Sequence, residues 1–160
     1  MDLGLKGRVA VIGGGSKGLG RACADSLAKE GADLVICSRS QGDLDRAAEE
    51  IRAESGAEVL TVAGDLSQLS DIQTLIRETV DRFGRIDILV NNSGGPPAGR
   101  AADTAEETWL QSIDMALLFF IRMSREAVPH MKTRGWGRIV NILASSVYQP
   151  IDNLVTSGVT

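Results

Sequence analysis

The densest chemistry in the chain lies near its start, where Gly13-Gly14-Gly15-Ser16-Lys17-Gly18-Leu19-Gly20 puts five glycines into eight residues, after an apolar run and ahead of a helical pattern. Such a strand-to-helix turn can cradle a phosphate. Residues without a β-carbon let the chain turn tightly and let a pyrophosphate approach the backbone, while the helix N-terminus offers free N–H groups and a partial positive charge. It is not the loop of nucleoside-triphosphate hydrolases, because Lys17 precedes its glycine and no Gly-Lys-Ser/Thr sequence follows. A second clue is Cys37-Ser38-Arg39-Ser40, which closes the second apolar run. NAD-selective folds commonly carry a carboxylate there, to accept from the ribose hydroxyls and repel a 2′-phosphate. Arg39 instead offers a planar fork that can pair with phosphate, Ser38 or Ser40 adds a hydroxyl, and Lys17 reaches toward the same space. A dinucleotide site that favours NADP(H) over NAD(H) is expected.

The elements that must position these groups are legible as alternating patterns. Arg8 to Ile12, Asp33 to Cys37, Glu58 to Ala63, Ile86 to Val90 and Arg138 to Ile142 read as five strands, apolar enough to be covered on both faces. Helical periodicity fills 18–30, 42–55, 68–83 and 106–133, with Leu19, Cys23, Leu27 and Ala28 forming the apolar stripe of the first stretch. Gly31, Gly56 and Gly84 each follow a helical pattern, as a left-handed helix terminus requires. In the long final stretch Leu117, Phe120, Ile121 and Val128 read as packing residues, Pro129 is expected to disturb the helix, His130 lies near its end, and Trp136 reads as a structural anchor. Strands alternating with helices predict an α/β fold with a doubly wound parallel sheet.

Composition excludes several classes of partner. A chain of 160 residues that is 43% hydrophobic suits one core, and its net charge of −4 gives no basic footprint for nucleic acid. Cys23 and Cys37 lack Cys-x-x-Cys spacing and have a single histidine for company, so buried reduced thiols are expected and no metal site. The N-terminal residues run into a strand without a signal peptide's apolar region, and no apolar run reaches membrane-spanning length. A cytoplasmic protein with a small-molecule substrate, and no nucleic-acid or membrane partner, is the expectation.

In their order and spacing, Gly14-x-x-x-Gly18-x-Gly20, Asp65-Leu66, Asn91-Asn92-Ser93-Gly94 and Gly137-Arg138-Ile139-Val140-Asn141-Ile142 cover almost the whole chain. Together they resemble the short-chain dehydrogenase/reductase family, and within it the 3-oxoacyl-carrier-protein reductases. One departure is Gly13, where the family carries a threonine. The resemblance implies a Rossmann fold with strand order 3-2-1-4-5. It implies that Gly14, Ser16, Lys17, Gly18, Leu19, Gly20 and Arg39 hold the cofactor, that Asp65 bonds the adenine amino group, and that Leu66 offers a backbone contact. Asn91 would support the cofactor and the fourth strand, with Gly94 beside the nicotinamide. Read without the resemblance, the alternatives are a helix N-cap for Asp65 and a plain turn for Asn91-Asn92.

The family's catalytic groups are a tyrosine, a lysine four residues on that lowers its pKa, an upstream serine, and an asparagine in the long helix. Their positions fall at or near Ser157, just past Thr160, at Ala144 and at Ala116. Tyr148, the single tyrosine, has Asp152 four residues on, which would raise its pKa. Ser145 and Tyr148, three residues apart, could meet in a turn as a substitute acid pair. The resemblance further implies that family members continue with another helix and strands. Residues 1–160 are then a single NADP(H)-binding domain lacking that C-terminal part, with apolar surface exposed on the fifth strand and long helix, a homo-oligomer formed through 106–133, and no turnover alone. The intact protein is expected to be an NADP(H)-dependent oxidoreductase acting on a carbonyl/alcohol pair. The alternatives are a catalytically silent nucleotide-binding module and an oligomerisation protein using the same fold.

Overall fold

The computed structural model describes residues 3–149 and 151–159. Its five strands are β1 (Val9–Gly13), β2 (Asp33–Ser38), β3 (Val59–Ala63), β4 (Ile88–Asn91) and β5 (Arg138–Asn141). They form one parallel sheet of order β3-β2-β1-β4-β5. Side chains alternate between the faces of a strand, so a strand covered on both sides must be apolar at every position. β1 satisfies this: Val9 and Val11 enter the core beneath one face with Val35, Leu89 and Phe119, while Ala10 and Ile12 enter the other with Leu34, Ile36 and Val90. Helices α1 (Gly18–Lys29) and α2 (Gln41–Ser55) supply the second core, and α3 (Leu69–Phe83) with α5 (Phe119–Thr133) supplies the first. The crossovers change face between β1 and β4, which leaves a crevice beyond the carboxyl ends of the strands. This is the doubly wound Rossmann-type sheet the sequence predicts. α2 and α3 stop at Gly56 and Gly84, whose φ angles of 70° and 67° an L side chain would resist.

Two packing stripes differ from the sequence reading. In α1 the buried residues are Gly20, Ala24 and Ala28, with Cys23 and Leu27 packed at the margin, and Leu19 is 67% exposed. Within the first turn of α1, Gly20 is the residue turned inward and Leu19 beside it faces solvent. The stretch 106–133 is not one regular helix either. It is α4 (Glu106–Ile113), a π-helical turn (Asp114–Leu118) closed by the Phe119 N–H on the Asp114 carbonyl, and then α5. The extra residue of the wide turn rotates the register downstream. Phe119, Met123, Ala127 and Met131 are therefore the buried stripe; Leu117 and Ile121 face outward, and Phe120 and Val128 are only partly buried. Pro129 is exposed within α5, which continues unbroken to Thr133 because Ala127 and Met131 on the opposite face stay anchored in the core.

At the amino ends of the strands a charged hub ties β1 to β4. Asp87, fully buried, accepts from the Arg85 Nε and Nη2 at 2.7 Å each, from the Val9 N–H at 2.9 Å and from Arg8 Nη1 at 3.2 Å. Burial alone would raise the Asp87 carboxyl, but these donors and the charge of Arg85 outweigh it and hold the group below the usual carboxylate range. Trp136 is the anchor its sequence position suggests, with the Arg8 guanidinium 4.0 Å and that of Arg138 4.8 Å from its ring. Cys37 is buried, which together with the nearby carboxylates of Asp71, Asp65 and Glu78 pushes its thiol up to about 12; Cys23 is half-buried. Both thiols are free. Among the described residues no helix is long and apolar enough to cross a membrane, and no group of three or more His, Cys, Asp or Glu side chains is placed to hold a metal ion.

Candidate functional site

The crevice predicted by the winding of the sheet is an open groove of about 450 Å³, within the range of ligand sites. Four loops at the carboxyl ends of the strands wall it: Gly14, Ser16 and Lys17 after β1, Ser38 to Ser40 after β2, Gly64 to Ser67 after β3, and Asn92 to Gly94 after β4. Met115 from the π-helical turn and Phe119 close its floor. The expected residues Gly14, Ser16, Lys17, Arg39, Asp65, Leu66 and Gly94 are thus brought to one wall from positions up to eighty residues apart in sequence.

Each loop has a local reason for its shape. Lys17 is the extended residue ahead of α1, and no side chain caps that helix, so its N-terminal donors face the groove without a side-chain acceptor. Gly18 has φ 61° and nothing within 4 Å of a β-carbon built on it, which leaves room for a ligand. Gly20 is different: a β-carbon there would lie 2.3 Å from the Gly14 carbonyl oxygen, so this glycine is required by the turn itself. Ser40 caps α2, accepting from the Asp43 N–H at 3.3 Å, and so fixes Arg39 at the helix entrance. Asp65 does not cap α3, whose N-cap is Gln68. Its Oδ1 accepts from the Ser67 N–H at 3.0 Å in a tight Asx turn. That N–H, opposed by partial burial and helped by the Ser67 hydroxyl and the charge of Arg39, holds the Asp65 carboxyl below its usual range. Arg39 therefore shares the groove with Asp65 and Asp43, and any anion bound there must compete with two carboxylates.

Asn91 sits under the groove rather than on its wall. It is fully buried, and its Nδ2 donates to Asn141 Oδ1 at 2.9 Å and lies 3.4 Å from Ser124 Oγ, which staples β4 to β5 and to α5. Its Oδ1 has no hydrogen-bond partner among the described residues. Beside it, Arg122 pairs with Asp114 at 2.8 Å and donates to the Ser67 carbonyl at 2.9 Å, binding the π-helical turn to the Asp65 loop. Ala116 lies inside that turn.

The substitute acid pair is not assembled. Ser145 and Tyr148 do share a short 3-10 turn, but the bond between them runs from the Tyr148 N–H to the Ser145 carbonyl at 3.0 Å, and Tyr148 is 93% exposed. The hydroxyl pairing at this margin lies one residue on. Ser146 is buried, and its hydroxyl lies 3.2 Å from that of Ser157 on α6 (Val155–Val159), with Ser157's carbonyl at 3.4 Å. The Thr156 hydroxyl donates to the Pro97 carbonyl at 2.9 Å, docking α6 on the loop after β4. The Ser145-Ser146 doublet was the only sequence signal for this pairing, and no spacing rule distinguishes its two members. Asp43, Gly64, Ser67, Asn92, Met115 and Phe119 are groove residues to which sequence reasoning gave no role; the doubled asparagine after the fourth strand carried the signal for Asn92.

A parallel sheet of this order with a glycine loop, an uncapped helix N-terminus and a groove at the point where the winding reverses defines a dinucleotide-binding α/β protein. The short chain dehydrogenase family model matches residues 8–155, and the chain belongs to that family. It is 34% identical over 160 residues to the uncharacterised oxidoreductase YvrD of Bacillus subtilis and 32% identical over 157 residues to dehydrogenase/reductase SDR family member 4 of Caenorhabditis elegans. These alignments cover 100% and 98% of this chain but 60% of each relative, so the chain spans about three-fifths of their length. The L-sorbose reductase of Gluconobacter frateurii, solved with NADPH and L-sorbose, superposes with a TM-score of 0.97 at 34% identity over 99% of this chain and 60% of that one.

Proposed function

We propose that this chain is the NADP(H)-binding part of a cytoplasmic oxidoreductase that acts on the carbonyl/alcohol pair of a small molecule. The observation that carries the reading is the end of β2, where Arg39, flanked in sequence by Ser38 and Ser40, lines the same groove as Lys17. The open space over Gly18 and the uncapped start of α1 fit a pyrophosphate. A bound nicotinamide would supply or accept a hydride. What this chain contributes is placement: the N–H groups of α1 toward the pyrophosphate, Arg39 and Lys17 toward a 2′-phosphate, Asp65 toward the adenine, and Ser93-Gly94 with Met115 beside the reacting ring.

Proton transfer is the step these residues serve least. Ser157 stands where the family has its tyrosine, bonded to Ser146 rather than to a cation, and a hydroxyl without a neighbouring positive charge holds its proton far above neutral pH. That favours a second reading, a nucleotide-binding module without carbonyl chemistry; turnover by the intact gene product separates the two. A homo-oligomer is part of the proposal: Leu110, Leu117 and Ile121 are 60%, 44% and 51% exposed along the outer side of α4, the π-helical turn and α5.

Titration of the protein with NADPH and with NADH tests the cofactor. A charge-assisted phosphate pair contributes about 1.5–3 kcal/mol, so NADPH should bind on the order of tenfold or more tightly. Arg39→Asp should reverse the order, because a carboxylate repels the phosphate and accepts from the ribose. Equal affinities in the parent would remove the assignment.

A further inference from the structure

The loop after β3 is shaped mostly by bonds within itself and to the start of α3. Asp65 Oδ1 accepts from the Ser67 N–H at 3.0 Å, and the Asp65 N–H donates to Asp71 Oδ2 at 2.9 Å. The Gln68 N–H donates to the Asp65 carbonyl at 2.8 Å. These bonds fold the loop onto its own helix but do not fix where it stands on the sheet. No side chain caps α3, and Leu66 packs against the core beneath, which is a contact without direction. The directional tie comes from another element. Arg122, in the first turn of α5, donates from Nη1 to the Ser67 carbonyl at 2.9 Å across fifty-five positions of sequence. The same Nη1 pairs with Asp114 Oδ1 at 2.8 Å, and Asp114 is itself held because its carbonyl closes the π-helical turn. One nitrogen thus joins the loop after β3 to the turn that carries Met115.

From this geometry we infer that Arg122 is a positioning residue for base recognition: aimed by Asp114, it fixes the Ser67 carbonyl and so sets the direction in which the Asp65 carboxylate meets the adenine. The inference rests on the cofactor reading above, in which Asp65 faces the base. Arg122 does not line the groove, so it acts through Ser67 and Asp65 rather than by touching the ligand. The transmission is short. Asp65 Oδ1 is bonded to the N–H of the same Ser67 whose carbonyl Arg122 takes, so a shift of Ser67 carries the carboxylate with it. The chemistry requires a long donor. Both partners are oxygens that can only accept, one on the loop and one on the turn, and an apolar or shorter side chain leaves the Ser67 carbonyl without its donor. Hydrogen bonds weaken steeply as they lose alignment, so the loss should fall on the adenine amino group. The phosphate contacts of α1, Lys17 and Arg39 do not pass through this turn. Fixing the carboxylate before the ligand arrives removes an ordering cost that binding would otherwise have to meet.

The test compares NADPH with its 6-desamino analogue, in which purine replaces adenine, on the full chain and on Arg122→Met. Affinities are read by titration of the reduced-nicotinamide fluorescence and folding by thermal melts. A hydrogen bond from the amino group to a carboxylate should make the parent prefer NADPH on the order of tenfold. In Arg122→Met the preference should shrink to about twofold or less, with the analogue bound about as tightly as by the parent. A parental preference in the variant would overturn the inference. An equal loss for both ligands does so in the same way, since general loosening of the fold weakens both and leaves their ratio unchanged. A parent that binds both ligands alike also overturns it, because there is no base discrimination to position, and leaves the NADP(H) reading standing. A parent that binds neither overturns the cofactor reading, and this inference with it. Should Arg122→Met fail to fold, Arg122→Gln, which keeps a polar end at this half-buried site but stops short of Ser67, decides by the same ratio.

Discussion

β1 and β5 are both short, parallel and apolar in their centres, yet all five residues of the first are buried and all four of the second are exposed. The sequences VAVIG and RIVN do not account for that difference. β1 is paired on both edges and roofed by helices on both faces, whereas β5 pairs only with β4 among the described strands. The loops that follow show the same contrast. After β1 the turn is packed so tightly that four of its five glycines leave no room for a β-carbon, and after β5 Leu143 and Tyr148 stand 60% and 93% exposed. The binding half of the molecule is pre-shaped by its own packing. The margin after β5 is not, so on the proposed reading cofactor binding and acid–base chemistry would fall in differently packed parts of the chain.

The comparison can be broken most severely at the hub beneath the packed half. Asp87→Ala would leave Arg85 and the buried Val9 N–H without their acceptor, and removing one partner of a buried charge cluster typically costs about 3–5 kcal/mol. Urea unfolding at neutral pH should show it. The acid limb offers a check of sign. The native Asp87 and Asp65 carboxyls lie low, so their contribution is complete at neutral pH and is lost as pH falls from about 4 through the depressed native values. The gap between the parent's urea midpoints at pH 7 and pH 3 should narrow in Asp87→Ala.

A substitution at the open glycine should separate shape from stability. Gly18→Val adds a branched side chain whose β-carbon would meet nothing within 4 Å beyond its own chain neighbours and helix backbone, at φ 61°. NADPH binding should fall by more than about tenfold, with the far-ultraviolet dichroism close to the parent's, since a single strained residue costs on the order of 1–2 kcal/mol. Retained affinity would place the cofactor elsewhere.

The exposed margin makes the complementary prediction about chemistry. These 160 residues should leave the reduced-nicotinamide absorbance unchanged with ketones, aldehydes and thioester-linked β-keto compounds, because general acid–base assistance worth about 10²–10⁴-fold has no charged partner here. Robust turnover abolished by Ser157→Ala or Ser146→Ala would show that this half-buried hydroxyl pair substitutes for the family's tyrosine. Turnover abolished by Tyr148→Phe would instead show that the loop closes over substrate. The smallest effect on folding is expected on the outer side of α5. Ile121→Glu should change stability by no more than about 0.5 kcal/mol. In sedimentation it should shift the protein toward the monomer; an unchanged distribution would remove the long helix from the interface.

The sequence by itself determined the alternation of strands and helices, the helix ends at Gly56 and Gly84, the glycine loop and the cation at the end of β2, because these depend on local periodicity, backbone sterics and residue type. Tertiary structure alone decided the rest. Whether Phe119 or Phe120 enters the core depends on a π-helical turn whose wide register no spacing of apolar residues announces. Asp87 reads as an ordinary charge beside Arg85 until the Arg8 side chain and the Val9 N–H arrive from seventy-eight or seventy-nine positions away. Ser146 rather than Ser145 meets Ser157 because the 3-10 turn after β5 points one hydroxyl inward and leaves the other outside. Asn92 meets Gly13 only because β4 lies beside β1, since a contact across the sheet is a property of strand order, and strand order is fixed by the packing of whole helices rather than by any neighbour in the chain.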